Sequence, residues 1–157
     1  VKLFHQDLVD LPQCILDESK YTHIYLTPNG EQLRSVTTMI NKTKSYADKK
    51  QLADWRDRTG HAVADYIMKT SMIVGTQTHK LNENYLNMER DNESYLLLAQ
   101  AHHKNFIPYI DKIDKVFAVE PKLFSNSMKL AGTADWVGMY QGKLTIGDYK
   151  KQSTTKS

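Results

Sequence analysis

GTADWVGMYQGKLTIGDYKK, running from Gly132 to Lys151, sets two extended segments about the tight turn Gln141-Gly142. Pairing the segments antiparallel about that turn brings Asp135 roughly opposite Asp148. Lys150 follows Asp148 by two positions, so the period of two of an extended chain turns both side chains to one face. Two neighbouring carboxylates can hold a divalent cation, and a lysine beside them can orient or deprotonate a water and neutralise developing charge. Hydrolysis of a phosphodiester is one reaction that needs such services. An Asp and a Lys two apart on a strand are more often a solvated face, so the case needs the rest of the chain.

Working outward, Val116–Glu120 and Met128–Tyr140 also read as extended, with Ser125-Asn126-Ser127 as the turn between them. Residues 112–151 are therefore expected to form an antiparallel three-strand meander. Residues 1–111 read as mainly helical, with a small hairpin from His23 to Leu33 closed at Asn29-Gly30. Ser35 to Thr38 supply hydroxyls to cap a helix, and Asp48 marks a second start ahead of Leu52, Trp55 and Arg56. That helix is expected to run to about Ile73 with a break near Gly60, followed by a helix from Gly75 to Met88 and another from Asp91 to about Tyr109. On the second of these three, His79 and Glu83 fall four apart on one face. Residues 1–157 read as one domain of the α/β class, with 152–157 a mobile end.

Apolar residues at 40% and charged residues at 25% fit a globular domain, and no apolar run is long enough to span a bilayer, so no membrane partner is expected. The first residues lack a basic segment followed by an apolar one, which argues against a targeting signal. A single cysteine, Cys14, excludes an internal disulfide and any all-cysteine iron–sulfur or zinc site, and suits a reducing, intracellular compartment. A net charge of +3 is too small to argue for a polyanionic partner, so attraction to DNA must come from local clusters such as Lys42, Lys44, Lys49 and Lys50. Those lysines are by default simply solvated. Trp55, Trp136, Tyr140 and Tyr149 offer ring faces of the kind that stack on unpaired bases, but Trp55 in a helical apolar stripe and Trp136 on the central strand read as buried. His102-His103 reads as a surface pair, because adjacent helical residues point about 100° apart.

The string from Gly132 to Lys151 resembles the G-x-x-D, strand-turn-strand, D-x-K core of the RecB-like branch of PD-(D/E)XK nucleases. SVTTMI, LADWRDRTG and GTQTHKLNENYL, in that order upstream, are similar to the helical part of the same branch, including its G-T-x-x-H segment. The likeness covers most of residues 35–151 and extends to the exonucleases of mitochondrial genome maintenance and of tailed bacteriophages. It implies a restriction-endonuclease-like core and Mg²⁺- or Mn²⁺-dependent cleavage of DNA. The resemblance makes Asp135 and Asp148 metal ligands, Lys150 the catalytic lysine, and His79 a histidine near the metal from the helical side. The Tyr149 main-chain carbonyl and Glu120 are further ligands it implies. The cysteine ligands of the CRISPR-associated iron–sulfur members are missing, so no iron–sulfur cluster is expected.

Where relatives carry Thr or Ser after the lysine, this chain has Lys151-Gln152, placed to touch DNA phosphate, and Thr37 and Thr38 at a helix start offer a second phosphate contact. Relatives continue into a further helix and strand, whereas the sequence stops at Ser157, so the fold is expected to be C-terminally incomplete. The function expected is that of a metal-dependent exonuclease on single-stranded DNA ends, in bacterial host cytoplasm if phage-encoded, with an organellar matrix left open. A structure-selective or sequence-specific endonuclease on the same fold is the alternative, and from another class a DNA-binding or assembly module without turnover.

Overall fold

A computed structural model of the chain describes residues 2–17, 23–90 and 92–150. Within them four helices and two mixed sheets build an α/β fold. The first sheet has the order β1-β5-β8-β9, with β1 His5–Gln6, β5 Ile113–Val119, β8 Trp136–Tyr140 and β9 Lys143–Gly147. β1 runs parallel to β5, and the β5–β8 and β8–β9 pairs are antiparallel. The second sheet holds β2 Ile15–Asp17, β3 Ile24–Leu26, β4 Gln32–Ser35, β7 Leu130–Thr133 and β6 Lys122–Ser125, in that spatial order, with only β4–β7 parallel.

The β8–β9 hairpin turns at Gln141 and Gly142, both at positive φ (48° and 76°), the pairing of signs that matches the twist of adjoining strands. Its register sets Trp136 opposite Gly147 and Tyr140 opposite Lys143. The expected single strand from Met128 to Tyr140 is in fact two. It breaks at Ala134 and Asp135, because β7 belongs to the second sheet and β8 to the first. The break keeps its backbone satisfied: Ala134 N–H donates to Pro121 O at 3.2 Å, Asp135 N–H to Gly147 O at 3.1 Å, and Glu120 N–H to Asp135 O at 2.9 Å. Ser125-Asn126-Ser127 accordingly turns β6 into β7, rather than joining the first two strands of a meander. The neighbours β5, β8 and β9 keep the antiparallel arrangement expected of the meander, with the β6–β7 hairpin inserted between β5 and β8.

The helices are α1 Val36–Thr43, α2 Tyr46–Thr59, α3 His61–Asn87 and α4 Leu97–Ile110. Ser35 caps α1 by accepting from Thr38 N–H, and Ser45 with Asp48 forms a reciprocal capping box at α2. Gly60, at φ 87°, separates α2 from α3. The break expected between Ile73 and Gly75 does not occur: α3 runs unbroken for 27 residues. A helix-interior glycine costs about 1 kcal/mol but keeps its N–H, so it ends no helix by itself. α4 begins later than expected, at Leu97, and residues 92–96 are not helical; Asp91 lies outside the described residues.

Two buried clusters hold the sheets. Phe4, Leu86, Ile110, Ile113, Val116 and Trp136 fix α3 and α4 against the first sheet, and Cys14, Tyr25, Leu33 and Ala131 fill the second. The N-terminal part is thus less purely helical than its pattern suggested, since β1 and β2 also join sheets. α1 and α2 bury no residue, and Trp55, expected in the core, is only half-buried. No described helix is long and apolar enough to cross a membrane.

Candidate active site

Asp135 stands where the chain crosses between the sheets, with its side chain 12% exposed. From α3, His79 Nδ1 donates to Asp135 Oδ1 at 2.9 Å, and the Tyr149 backbone N–H donates to Asp135 Oδ2. Asp148 and Lys150 follow β9 immediately and are not in its ladder, a correction to the strand expected to carry them. Lys150 Nζ meets Asp148 Oδ2 at 3.0 Å, so the two share a side as the spacing suggested. Gly147 makes this path possible: a Cβ there would sit 2.0 Å from Trp136 Cε2. The strand lies flat on the buried indole and delivers Asp148 and Tyr149 to Asp135.

Charge follows from this geometry. Partial burial pushes the Asp135 carboxyl up, but the hydrogen bonds from His79 and Tyr149 N–H, with the side chain of Asp148, outweigh it and hold the group below the usual carboxylate range. Its bond to Asp135 raises His79 above an ordinary imidazole against the opposing effect of burial, with further help from the Asp135 and Asp148 charges. Both shifts favour an imidazolium–carboxylate pair.

Glu120 closes β5 at φ 49° and reaches the site through its backbone bond to Asp135. Its carboxyl is pushed up by desolvation first, then by the charges of Glu83 and Asp135. Glu83 was not among the expected site residues. Its spacing of four from His79 on one helix face was the available signal, and Lys80 Nζ pairs with it at 3.0 Å. Thr37 and Thr38 do not enter this constellation; Ser35 Oγ donates to Thr38 Oγ1 at 2.8 Å, so that hydroxyl serves the α1 cap. Lys151 and Gln152 lie outside the described residues, as does the end expected to be mobile.

His102 and His103 are half-buried rather than on the surface. His103 Nδ1 donates to Asn82 Oδ1 at 2.7 Å, linking α4 to α3, and burial lowers its proton affinity. His102 Nε2 is buried without a hydrogen-bond partner. Tyr149 projects its ring between the helices, edge-on to His79 at 5.8 Å and tilted against Phe106 at 5.3 Å, and its Oη is likewise buried and unpartnered.

Among the described residues no group of three or more His, Cys, Asp and Glu side chains could hold a metal ion. A closed protein cage is therefore not what these donors make. Asp135 and Asp148 are the carboxylates these donors offer to a Mg²⁺-type cation, which usually takes one or two carboxylates and keeps the remaining positions for water and substrate phosphate. The Tyr149 carbonyl lies in the same segment, between Asp148 and Lys150. No protein-family model matches the chain, and no curated protein matches it.

Proposed function

We propose that this chain is a metal-dependent deoxyribonuclease that hydrolyses phosphodiester bonds, acting as an exonuclease on single-stranded DNA ends. The observation that carries the reading is the meeting of Asp135 with the Asp148–Lys150 segment at the end of the β8–β9 hairpin, with His79 bonded to Asp135. The order of motifs resembling the RecB-like PD-(D/E)XK nucleases supports it, and exonuclease rather than endonuclease action rests on that resemblance alone.

In this mechanism Asp135 and Asp148 would hold Mg²⁺ or Mn²⁺. When bound, the cation would supply polarisation of the phosphoryl group and a water of lowered pKa. His79 and the Tyr149 N–H fix both oxygens of Asp135, so its carboxylate is oriented before substrate arrives. Lys150, 79% exposed and held at Asp148, is free to turn to the scissile phosphate, where it orients the attacking water and offsets transition-state charge. Glu120 and Glu83 add negative potential beside the pair. A linear single strand is expected to be degraded only with Mg²⁺ or Mn²⁺, and a circular single strand to survive; cutting of the circle would move the assignment to an endonuclease on the same fold.

A second reading has its own observation. Both Asp135 oxygens already accept hydrogen bonds and Asp148 is paired with Lys150, the arrangement of a site kept for structure, as in a DNA-binding or assembly module without turnover. Calorimetric titration with Mn²⁺ separates the two: heat that disappears in Asp148→Ala favours the enzyme, and its absence in the unaltered chain favours the module.

A further inference from the structure

Beside the carboxylates a cavity of about 210 Å³ opens between α3 and α4. Four rings, those of His79, His102, Phe106 and Tyr149, stand in its walls with Val74 and Gly75. Two of these residues also touch Asp135, His79 through its ring and Tyr149 through its backbone N–H, so cavity and carboxylates share a wall. Gly75 lies inside a continuous helix, and a Cβ added there would meet nothing within 4 Å. Neither a turn nor a close packing contact requires a glycine at this point. Its effect is to leave the cavity open.

The lining selects its occupant. No lysine or arginine is among the described residues around it, so nothing in the lining neutralises a phosphate. An aliphatic chain would leave the polar part of the lining, Thr70, Ser71 and the half-buried His79, without a partner in the occupant. A flat heterocycle with hydrogen-bonding edges suits this lining: rings for its faces or edges, and the hydroxyl-bearing Thr70 and Ser71 for its polar rim. We propose that this cavity is a pocket for one unpaired nucleobase of a single strand whose phosphates lie across Asp135, Asp148 and Lys150. The proposal rests on the nuclease reading for the path of the backbone, and it adds what that reading lacks, a reason for the strand to be unpaired.

The test is binding by the metal-free full chain of short oligothymidylates, each carrying one abasic residue at a different position. One position is expected to matter, with affinity about tenfold lower when its base is missing, the usual effect of losing one base contact. Gly75→Phe sets a ring in the wall of the cavity, at a point where the added Cβ meets nothing within 4 Å. In that variant the unmodified strand should bind about tenfold more weakly, and the abasic substitution should cost nothing more. Ser71→Trp, at the exposed rim of the cavity, repeats the comparison should Gly75→Phe fail to give the unaltered chain's circular dichroism and melting behaviour. An abasic profile that is flat, or equally steep in the unaltered chain and the folded variant, overturns the pocket. Cleavage of the same strands with Mg²⁺ separates the two ideas. Cleavage with a flat profile removes the pocket and leaves the nuclease; a position-dependent profile without cleavage keeps the base pocket and removes the nuclease.

Discussion

His79 Nδ1 and Asp135 Oδ1 lie 2.9 Å apart, joining the middle of α3 to the point where the chain passes from one sheet to the other. The bond raises the imidazole's proton affinity on folding, so its stabilisation is present in full below the unfolded histidine value, about 6.5, and is lost as pH rises through the higher folded value. In metal-free protein the ring resonances of His79 should titrate above an ordinary histidine, and Asp135→Asn should bring them down. A titration unchanged by that substitution would contradict the pairing.

His103 should act in the opposite sense. Burial lowers its folded value, so the folded state holds fewer protons than the unfolded one, and stability should fall as pH drops below about 6.5 toward the folded value. His103→Gln keeps a donor for Asn82 Oδ1 without a titrating ring. Denaturant midpoints at pH 7 and pH 5 should therefore differ less in the variant than in the unaltered chain.

What could be read from the sequence was mostly local. The turns at Asn29-Gly30 and Gln141-Gly142, the Ser45–Asp48 capping box and the Gly60 break depend on neighbours within a few residues. β1 and β2 are two and three residues long and exist only through pairing with β5 and β3, so no periodicity announces them. The division of 128–140 at Asp135 also has a distant cause, the competition of two sheets for one extended segment. Asp135, Asp148, Lys150 and His79 were singled out by spacing and order, and the structure brings His79 to Asp135 and Lys150 to Asp148. The burial of His102 and the opening at Gly75 arise from α3 packing on α4 over 20 residues away, and no spacing encodes that.

Two glycines are expected to be intolerant for different reasons. At Gly138 a Cβ would meet the Lys115 carbonyl oxygen at 2.1 Å, and backbone in a paired strand cannot give way. Gly138→Ala should cost about 3 kcal/mol or more in chemical denaturation. At Gly147 the obstacle is the Trp136 ring, so Gly147→Ala should cost less, about 1–3 kcal/mol, with a change in tryptophan fluorescence.

Gly75→Ala should instead stabilise the chain, by about 0.5–1 kcal/mol, because the helix interior there is unstrained and has room for a methyl group. A higher melting temperature would agree. A lower one would mean that the space beside Gly75 is filled.

On the nuclease reading Asp148 and Lys150 perform hydrolysis rather than hold the hairpin end in place. End-labelled single-stranded DNA incubated with the Asp148→Ala, Lys150→Ala double variant, with and without Mn²⁺, tests this most directly. Metal-dependent degradation is expected from the unaltered chain and none from the double variant, with DNA affinity within a few fold between them. Degradation that survives in the purified double variant, or that is absent from the unaltered chain while Mn²⁺ is present, would contradict that reading.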